Sequence, residues 1–228
     1  IDNIEQAARA YWGLGNYLGT MRSQNARGDL LGHVIDLSRS MDDPTARIYQ
    51  TNVRQNYHAD STDIVSLLCL QRAMSGGASS ILSSVTVYNE MLKRNPDFVD
   101  DLCQDFFWTL HGEVSPGQDP WYKMPVFTFE DGYFSARGAS THARKAQDLP
   151  GAEKWSDLRN QAVALFQELT HELAADLPFE QGDLQILNSH VTLHSRRPYE
   201  EWPEAERKRH LFRLWLRNDD LRPGPNEV

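Results

Sequence analysis

The residues best placed to do chemistry are His58 and Asp60, in the stretch TNVRQNYHADSTDIVSLLCL that spans residues 51–70. In an extended strand, residues two apart point the same way. The imidazole and the carboxylate would therefore leave one face together and could grip one metal ion. A histidine and a carboxylate are two of the three ligands of the 2-His-1-carboxylate facial triad, which leaves positions on iron(II) open for substrate and oxygen chemistry. The third ligand must come from far along the chain, and His194 in ILNSHVTLHSRR is the candidate. An isolated H-x-D triplet also arises by chance, and His194 is one of eight histidines. His190 and His194, four apart, would suggest a zinc pair on a helix. The β-branched run after Gly182 reads as strand instead, which leaves His190 a structural or surface residue. His171, in LTHELAADL, lacks the second histidine of an H-E-x-x-H metalloprotease motif.

Arginine supplies the next signal. A keto-acid cosubstrate carries a distal carboxylate that needs a fixed, always-charged, bidentate partner. Arg207, Arg209, Arg213 and Arg217 share parity along a terminal strand, so several can face one side. The bland alternative is a solvated basic edge strand that discourages aggregation. With His194 fifteen residues before Arg209, the functional reading is preferred. No nucleophile constellation competes: there is no G-x-S-x-G elbow, and neither Cys69 nor Cys103 has a histidine partner in sequence. GGASS is too short for a phosphate-binding loop.

These side chains need strands to hold them. DIVSLLCL (63–70) reads as a buried strand, and LLGHVIDLS, ILSSV, the residues after Gly182 and HLFRLWLRN read as others. FFWTLHGE, MPVFTFED and YFSARG are short, aromatic and separated by turn residues, which suggests an antiparallel meander. Helices are expected from Asn3, a capping residue, to Leu18 or Gly19, over 86–93, after Pro96, and over 154–177, where Pro178 stops the longest apolar stripe. MDDPTA reads as a turn and LRPGPNEV as a tail. Residues 139–151 are polar and irregular, a candidate mobile lid over a site. Short strands at close spacing with a few helices indicate a β-barrel or jelly roll dressed by helices.

The 228 residues and 40% hydrophobic content can build one sizeable core. A net charge of −9 argues against nucleic acid or an anionic membrane surface as partner. No apolar run reaches membrane-spanning length. Two cysteines point to a reducing, cytoplasmic compartment rather than a disulfide framework. The chain starts at Ile1, just before a helix, and is expected to lack its natural N-terminal segment while forming a single domain over 1–228.

The order and spacing of YHADSTDIVSLLCL, GGASSILSS with VYNEM, QGDLQILNSHVTLHSR and RHLFRLWLR resemble the taurine dioxygenase-like (clavaminate-synthase-like) branch of the iron(II)- and 2-oxoglutarate-dependent oxygenases. The likeness runs from about Arg47 to Arg217. It implies a double-stranded β-helix (jelly roll) with flanking helices, mainly β within an α+β chain. It implies that His58, Asp60 and His194 bind Fe(II), and that Arg209 pairs with the distal carboxylate of 2-oxoglutarate. Ser79 falls where the family often has a threonine touching that carboxylate. Arg213 corresponds to a second arginine that in some members contacts substrate or cosubstrate. Arg54 stands where taurine dioxygenase has a taurine-contacting asparagine, and Arg54 and Asn56 share parity with His58, so both are candidate substrate contacts. The implied reaction uses O2 to oxidise a small amino acid, amine or carboxylate, by hydroxylation, desaturation or ring closure, and releases succinate and CO2. The rival expectations are a non-catalytic metal-binding jelly roll or sensor and a zinc hydrolase. Homo-oligomerisation is left open.

Overall fold

A computed structural model of the chain describes residues 3–25, 27–38, 48–110, 114–115, 117–139 and 141–220. In chain order these form α1 (Ile4–Leu18), β1 (Thr20–Arg22), β2 (Leu31–Ile35), β3 (Gln55–His58), β4 (Ile64–Gln71), β5 (Ser75–Gly76) and β6 (Ser79–Ser83). Next come α2 (Ser84–Arg94), α3 (Pro96–Leu102), β7 (Phe106–Thr109), β8 (Trp121–Met124), β9 (Phe127–Glu130), β10 (Tyr133–Ala136), α4 (Thr141–Ala146) and α5 (Asp157–Glu172). The chain closes with β11 (Ala175–Leu177), β12 (Leu184–Asn188), β13 (Thr192–Arg196), β14 (Tyr199–Glu200) and β15 (His210–Arg217). The MDDPTA turn and the LRPGPNEV tail lie outside the described residues.

Two antiparallel sheets make the jelly roll. One has the order β1-β15-β4-β12, with β2 also on β15; the other runs β11-β6-β13-β3. Side chains from both sheets meet in one internal cavity, with Leu67 and Arg213 from the first and Ser79 and His194 from the second. β15 shows why the strands read as nearly continuous apolar runs. Its even residues Phe212, Leu214 and Leu216 pack beneath Tyr11 and the small residues Ala7 and Ala8 of α1. Its odd residues Leu211 and Arg213 line the cavity. Both faces are covered, so hydrophobicity does not alternate. A second cluster joins the β7–β10 region to the helices through Met91, Leu102, Phe127 and Phe166.

The Asn3 cap forms, with its side chain accepting from the Gln6 N–H at 3.0 Å. Three expectations are corrected. The long helix ends at Glu172, five residues before Leu177, and Ala175–Leu177 instead pairs with β6. A free edge on β6 offers backbone partners that outweigh the helical pattern. The aromatic meander is two separate hairpin ladders, β7 with β8 and β9 with β10. The irregular 139–151 stretch contains α4, whose Ala143 and Ala146 are fully buried, so small apolar residues dock it against the core.

Phe212 anchors the strand that carries the inward-facing arginine Arg213, and it is only 1% exposed. Phe212→Ala is expected to lower unfolding free energy by about 3–5 kcal/mol, measured as a drop in urea midpoint with little change in slope.

Candidate metal centre

Strand register brings the two histidines together. β13 pairs with β3 so that His194 lies opposite His58. Directly opposed residues on antiparallel strands keep their Cβ atoms about 5 Å apart, and the two rings stand 4.3 Å centre to centre. Asp60 follows two residues beyond His58, just past the strand end. Its Oδ1 is 3.6 Å from His58 Nε2. One ligand atom from each of His58, Asp60 and His194 lies within 4.8 Å of the others. Two imidazole nitrogens and one carboxylate oxygen form a donor set that suits iron(II).

The surroundings fix these groups. His58 Nδ1–H donates to the Asn56 carbonyl at 2.9 Å, which leaves Nε2 with the lone pair. The Gln55 amide reaches that Nε2 at 3.1 Å. Asp60 Oδ2 accepts from Trp215 Nε1 at 2.8 Å and lies 3.6 Å from Arg213 Nη1. Burial opposes the charge on Asp60, but Arg213, the two imidazoles and the Trp215 N–H outweigh it and hold the carboxyl down to about 2. Burial, reinforced by His58, lowers His194 to about 3, so this ring is neutral at pH 7. Its Nδ1 is buried without a hydrogen-bond partner, as a side chain awaiting a ligand would be.

Behind the triad lies the cavity shared by the two sheets. Ser79, Arg196, Arg209 and Arg213 all line it. Arg209 is 5% exposed, and burial lowers its pKa. Its Nη1 has no hydrogen-bond partner, and no carboxylate lies within ion-pair distance of its side chain among the described residues. A buried guanidinium without a counter-ion is costly, and the cavity beside it is the natural place for an anion. Ser79 Oγ donates to Gln185 Oε1 at 2.7 Å, which leaves the Gln185 amide nitrogen unpartnered. Arg213 is already engaged, with Nε donating to Gln24 Oε1 at 2.7 Å.

In front of the triad a cavity of about 110 Å³ is lined by Asn56, Trp108, Tyr122, Arg137, Thr141 and Trp215, with His58 and Asp60 at its base. Asn56 donates to Thr141 Oγ1 at 3.0 Å, so α4 borders this opening. Arg54 is turned elsewhere: its guanidinium lies 3.3 Å from His171 Nδ1, and it lines neither cavity. It precedes β3, so strand parity does not reach it. His190 is buried between Asp63, at 2.8 Å, and Ser135, at 2.9 Å, and ties the β9–β10 hairpin to the barrel. Gln55, Arg196, Gln24, Trp215 and Arg137 escaped the sequence reading. Arg196 and Trp215 could have been found, since each sits two residues from a candidate on the same strand. Gln24 carries no such signal.

A family model described as taurine catabolism dioxygenase TauD, TfdA family matches residues 1–215. The chain belongs to this family. It is 31% identical over 226 residues to FR-33289 synthase of Streptomyces rubellomurinus, covering 94% of this chain and 65% of that protein. It is 27% identical to the taurine hydroxylase-like protein SAT17 of Stachybotrys chartarum, over 92% of this chain and 56% of that one. It thus spans less than two thirds of the length of these relatives. Among solved structures, asparagine oxygenase in complex with Fe(II), hydroxyasparagine and succinate is similar at a TM-score of 0.63 and 20% identity, over 87% of this chain and 60% of that one. The non-heme iron oxygenase OrfP with Fe and alpha-ketoglutaric acid is similar at 0.64 and 13% identity, over 90% and 62%. These likenesses establish the family's jelly-roll fold here. No helix among the described residues is long and apolar enough to cross a membrane.

The depressed His194 carries a pH consequence. The unfolded chain binds a proton near pH 6.5 that the folded state refuses until about pH 3. Stability from this ring is complete above 6.5 and is lost as pH falls toward 3. His210, lowered to about 4 by burial and by His33, adds a contribution of the same sign. In chelator, the urea midpoint should fall from pH 7.5 to pH 5, and His194→Gln should fall less steeply than the wild type.

Proposed function

We propose that this chain is a single-domain iron(II)- and 2-oxoglutarate-dependent dioxygenase that hydroxylates a small-molecule substrate and releases succinate and CO2. The observation that carries the reading is the opposition of His58 and His194 across β3 and β13, with Asp60 beside them. Family membership supports it, as do the relatives crystallised with iron and with alpha-ketoglutaric acid or succinate. Iron(II) bound with 2-oxoglutarate and O2 supplies the oxidising chemistry that removes a substrate hydrogen.

The chain's own residues do the rest. His58, Asp60 and His194 would hold the metal, with Asp60 supplying the negative charge because its pKa is held to about 2. Arg209 receives the distal carboxylate of 2-oxoglutarate through its unpartnered Nη1. The Ser79 hydroxyl turns to the same group from its bond with Gln185. Arg213 stays with Asp60 and Gln24, where it orients the carboxylate ligand. Asn56, at the front cavity, faces the substrate. The apolar and aromatic walls, Trp108 and Tyr122 in front and Leu67, Phe179 and Leu211 behind, exclude water from the reacting centre. Trp108 is additionally fixed by an N–H bond to the Met124 carbonyl at 2.7 Å. The front cavity favours a substrate such as an amino acid, amine or small carboxylate. Two free thiols, with Cys69 pushed up to about 11 by burial, fit a reducing cytoplasmic setting.

The test is anaerobic addition of iron(II) and 2-oxoglutarate, followed by air. A visible charge-transfer band and succinate release are expected. Asp60→Ala should abolish both, and bound zinc with hydrolysis but no oxygen uptake would overturn the reading. Arg209→Gln should raise the KM for 2-oxoglutarate by about 100-fold or more, since it removes one partner of a buried charge pair. Iron content should be unchanged.

A further inference from the structure

The front cavity contains a cation that the proposed chemistry does not use. Arg137 lines both this cavity and a neighbouring hollow of about 350 Å³ that also touches Asp60. Its backbone is rooted at the metal ligands. The Arg137 carbonyl accepts from the N–H of Ala59, the residue between His58 and Asp60, at 2.9 Å. The Arg137 N–H donates to the Val126 carbonyl at 3.0 Å. Next to it, Gly138 adopts φ +84°, and a Cβ there would meet the Tyr57 carbonyl oxygen at 2.7 Å and His58 Cα at 3.1 Å. The arginine therefore stands on a segment clamped against β3.

Its guanidinium makes one hydrogen bond within the protein, Nη1 to Ser61 Oγ at 2.5 Å, among the described residues. None of their carboxylates lies within ion-pair distance of it. Burial lowers its pKa, while Tyr122 and Asp60 act on it only as more distant charges. The group stays protonated all the same, because an arginine side chain does not deprotonate in proteins. The fully buried arginines line the rear cavity, where Arg213 is met by Asp60 and Gln24, and Arg209 by the carboxylate assigned to it above. Arg196, also on the rear cavity, donates to the Val53 carbonyl and lies over the Tyr199 ring, with Nε and Nη1 unpartnered. Among the described residues, Arg137 is the arginine lining the front cavity whose charge no carboxylate meets.

We propose that Arg137 is the anion anchor of the substrate pocket, so that the substrate carries an oxyanion group, a carboxylate or a phosphorus oxyanion, held in the planar fork of this guanidinium. The inference rests on the oxygenase reading for the word substrate, but the anion site itself does not depend on it. A planar fork matches two oxygens of one group. Ser61 fixes the guanidinium in place, and Asn56 and Tyr122 on the same walls supply further polar contacts. The anion is the substrate's selecting feature. A neutral isostere would leave this partly buried charge unpaired.

Methylphosphonate, acetate and neutral acetamide are the probes, titrated calorimetrically into the protein loaded with iron(II) and 2-oxoglutarate under nitrogen. Methylphosphonate or acetate should bind and acetamide should not. The better of the two distinguishes a phosphorus oxyanion from a carboxylate. Arg137→Gln should weaken that binding by about 10- to 100-fold, the loss expected for charge-assisted hydrogen bonds. Arg137→Lys, which keeps the charge without the fork, should fall between, and Arg54→Gln, outside the pocket, should match the wild type. Acetamide binding as well as acetate, neither anion binding, or Arg137→Gln binding like the wild type would each overturn the proposal. If Arg137→Gln fails to fold, the wild-type and Arg137→Lys titrations decide. The same titrations in metal-free protein separate the two readings. Anion binding that depends on Arg137 and not Arg209, in a protein that gives no charge-transfer band, sinks the oxygenase reading and leaves this one. A band without anion binding does the reverse.

Discussion

The centre depends on one alignment, His194 against His58 across two antiparallel strands. Side chains on a strand alternate faces, so a slip of one residue would send one imidazole to the opposite side of the sheet. The register is held from the other edge of β13 as well. Thr192 to Arg196 pair residue by residue with Ser83 to Ser79 on β6. Central placement therefore gives His194 neighbours on both sides, while Asp60 is positioned by a turn beyond the strand and by side chains. That difference explains why Asp60 needs both Trp215 and Arg213 to hold it.

Around the alignment the protein concentrates charge in a dry interior. Asp60, Arg196, Arg209 and Arg213 line or approach the same small cavity, and each desolvated ion must be matched by another group. Arg213 and Asp60 match one another. Arg196 is eased by a backbone carbonyl and an aromatic face, and burial still pulls its pKa to about 10. Among the described residues Arg196, Arg209 and Arg137 all lack a carboxylate partner, the first two behind the triad and Arg137 in front. Guanidiniums without a carboxylate on both sides of one donor set are what the two proposed anions, a cosubstrate carboxylate behind and a substrate oxyanion in front, would meet. The apolar shell of α1 over β15 contributes the stability that such an arrangement consumes.

Much of this was legible in the residues. Period-two spacing singled out His58 with Asp60 and Arg209 with Arg213, although Asp60 lies just past β3 and Arg209 just before β15, so strand geometry alone does not align them. The first helix was visible because its cap and apolar spacing agree. The end of α5 was not, because Ala175 to Leu177 continue a helical pattern locally and only the edge of β6 pulls them into a ladder. Arg54 shares the parity of His58 but precedes β3, and its guanidinium turns to His171 instead of the cavity. Arg137 and Gln24 are set by hairpin and loop placement, which no short-range pattern encodes. The irregular look of 139–151 came from its polar residues, whereas its buried alanines decide its conformation.

The Trp215 indole has an effect beyond steadying Asp60. With Oδ2 taken by the indole N–H and facing Arg213, the carboxylate has only Oδ1 to offer. As a metal ligand, Asp60 would thereby be restricted to one oxygen. A six-coordinate cation held here would meet three protein donors rather than four, which would leave half of its positions for exchangeable ligands. A tryptophan outside the ligand set would thus govern denticity, and with it the number of small molecules that could meet at one ion.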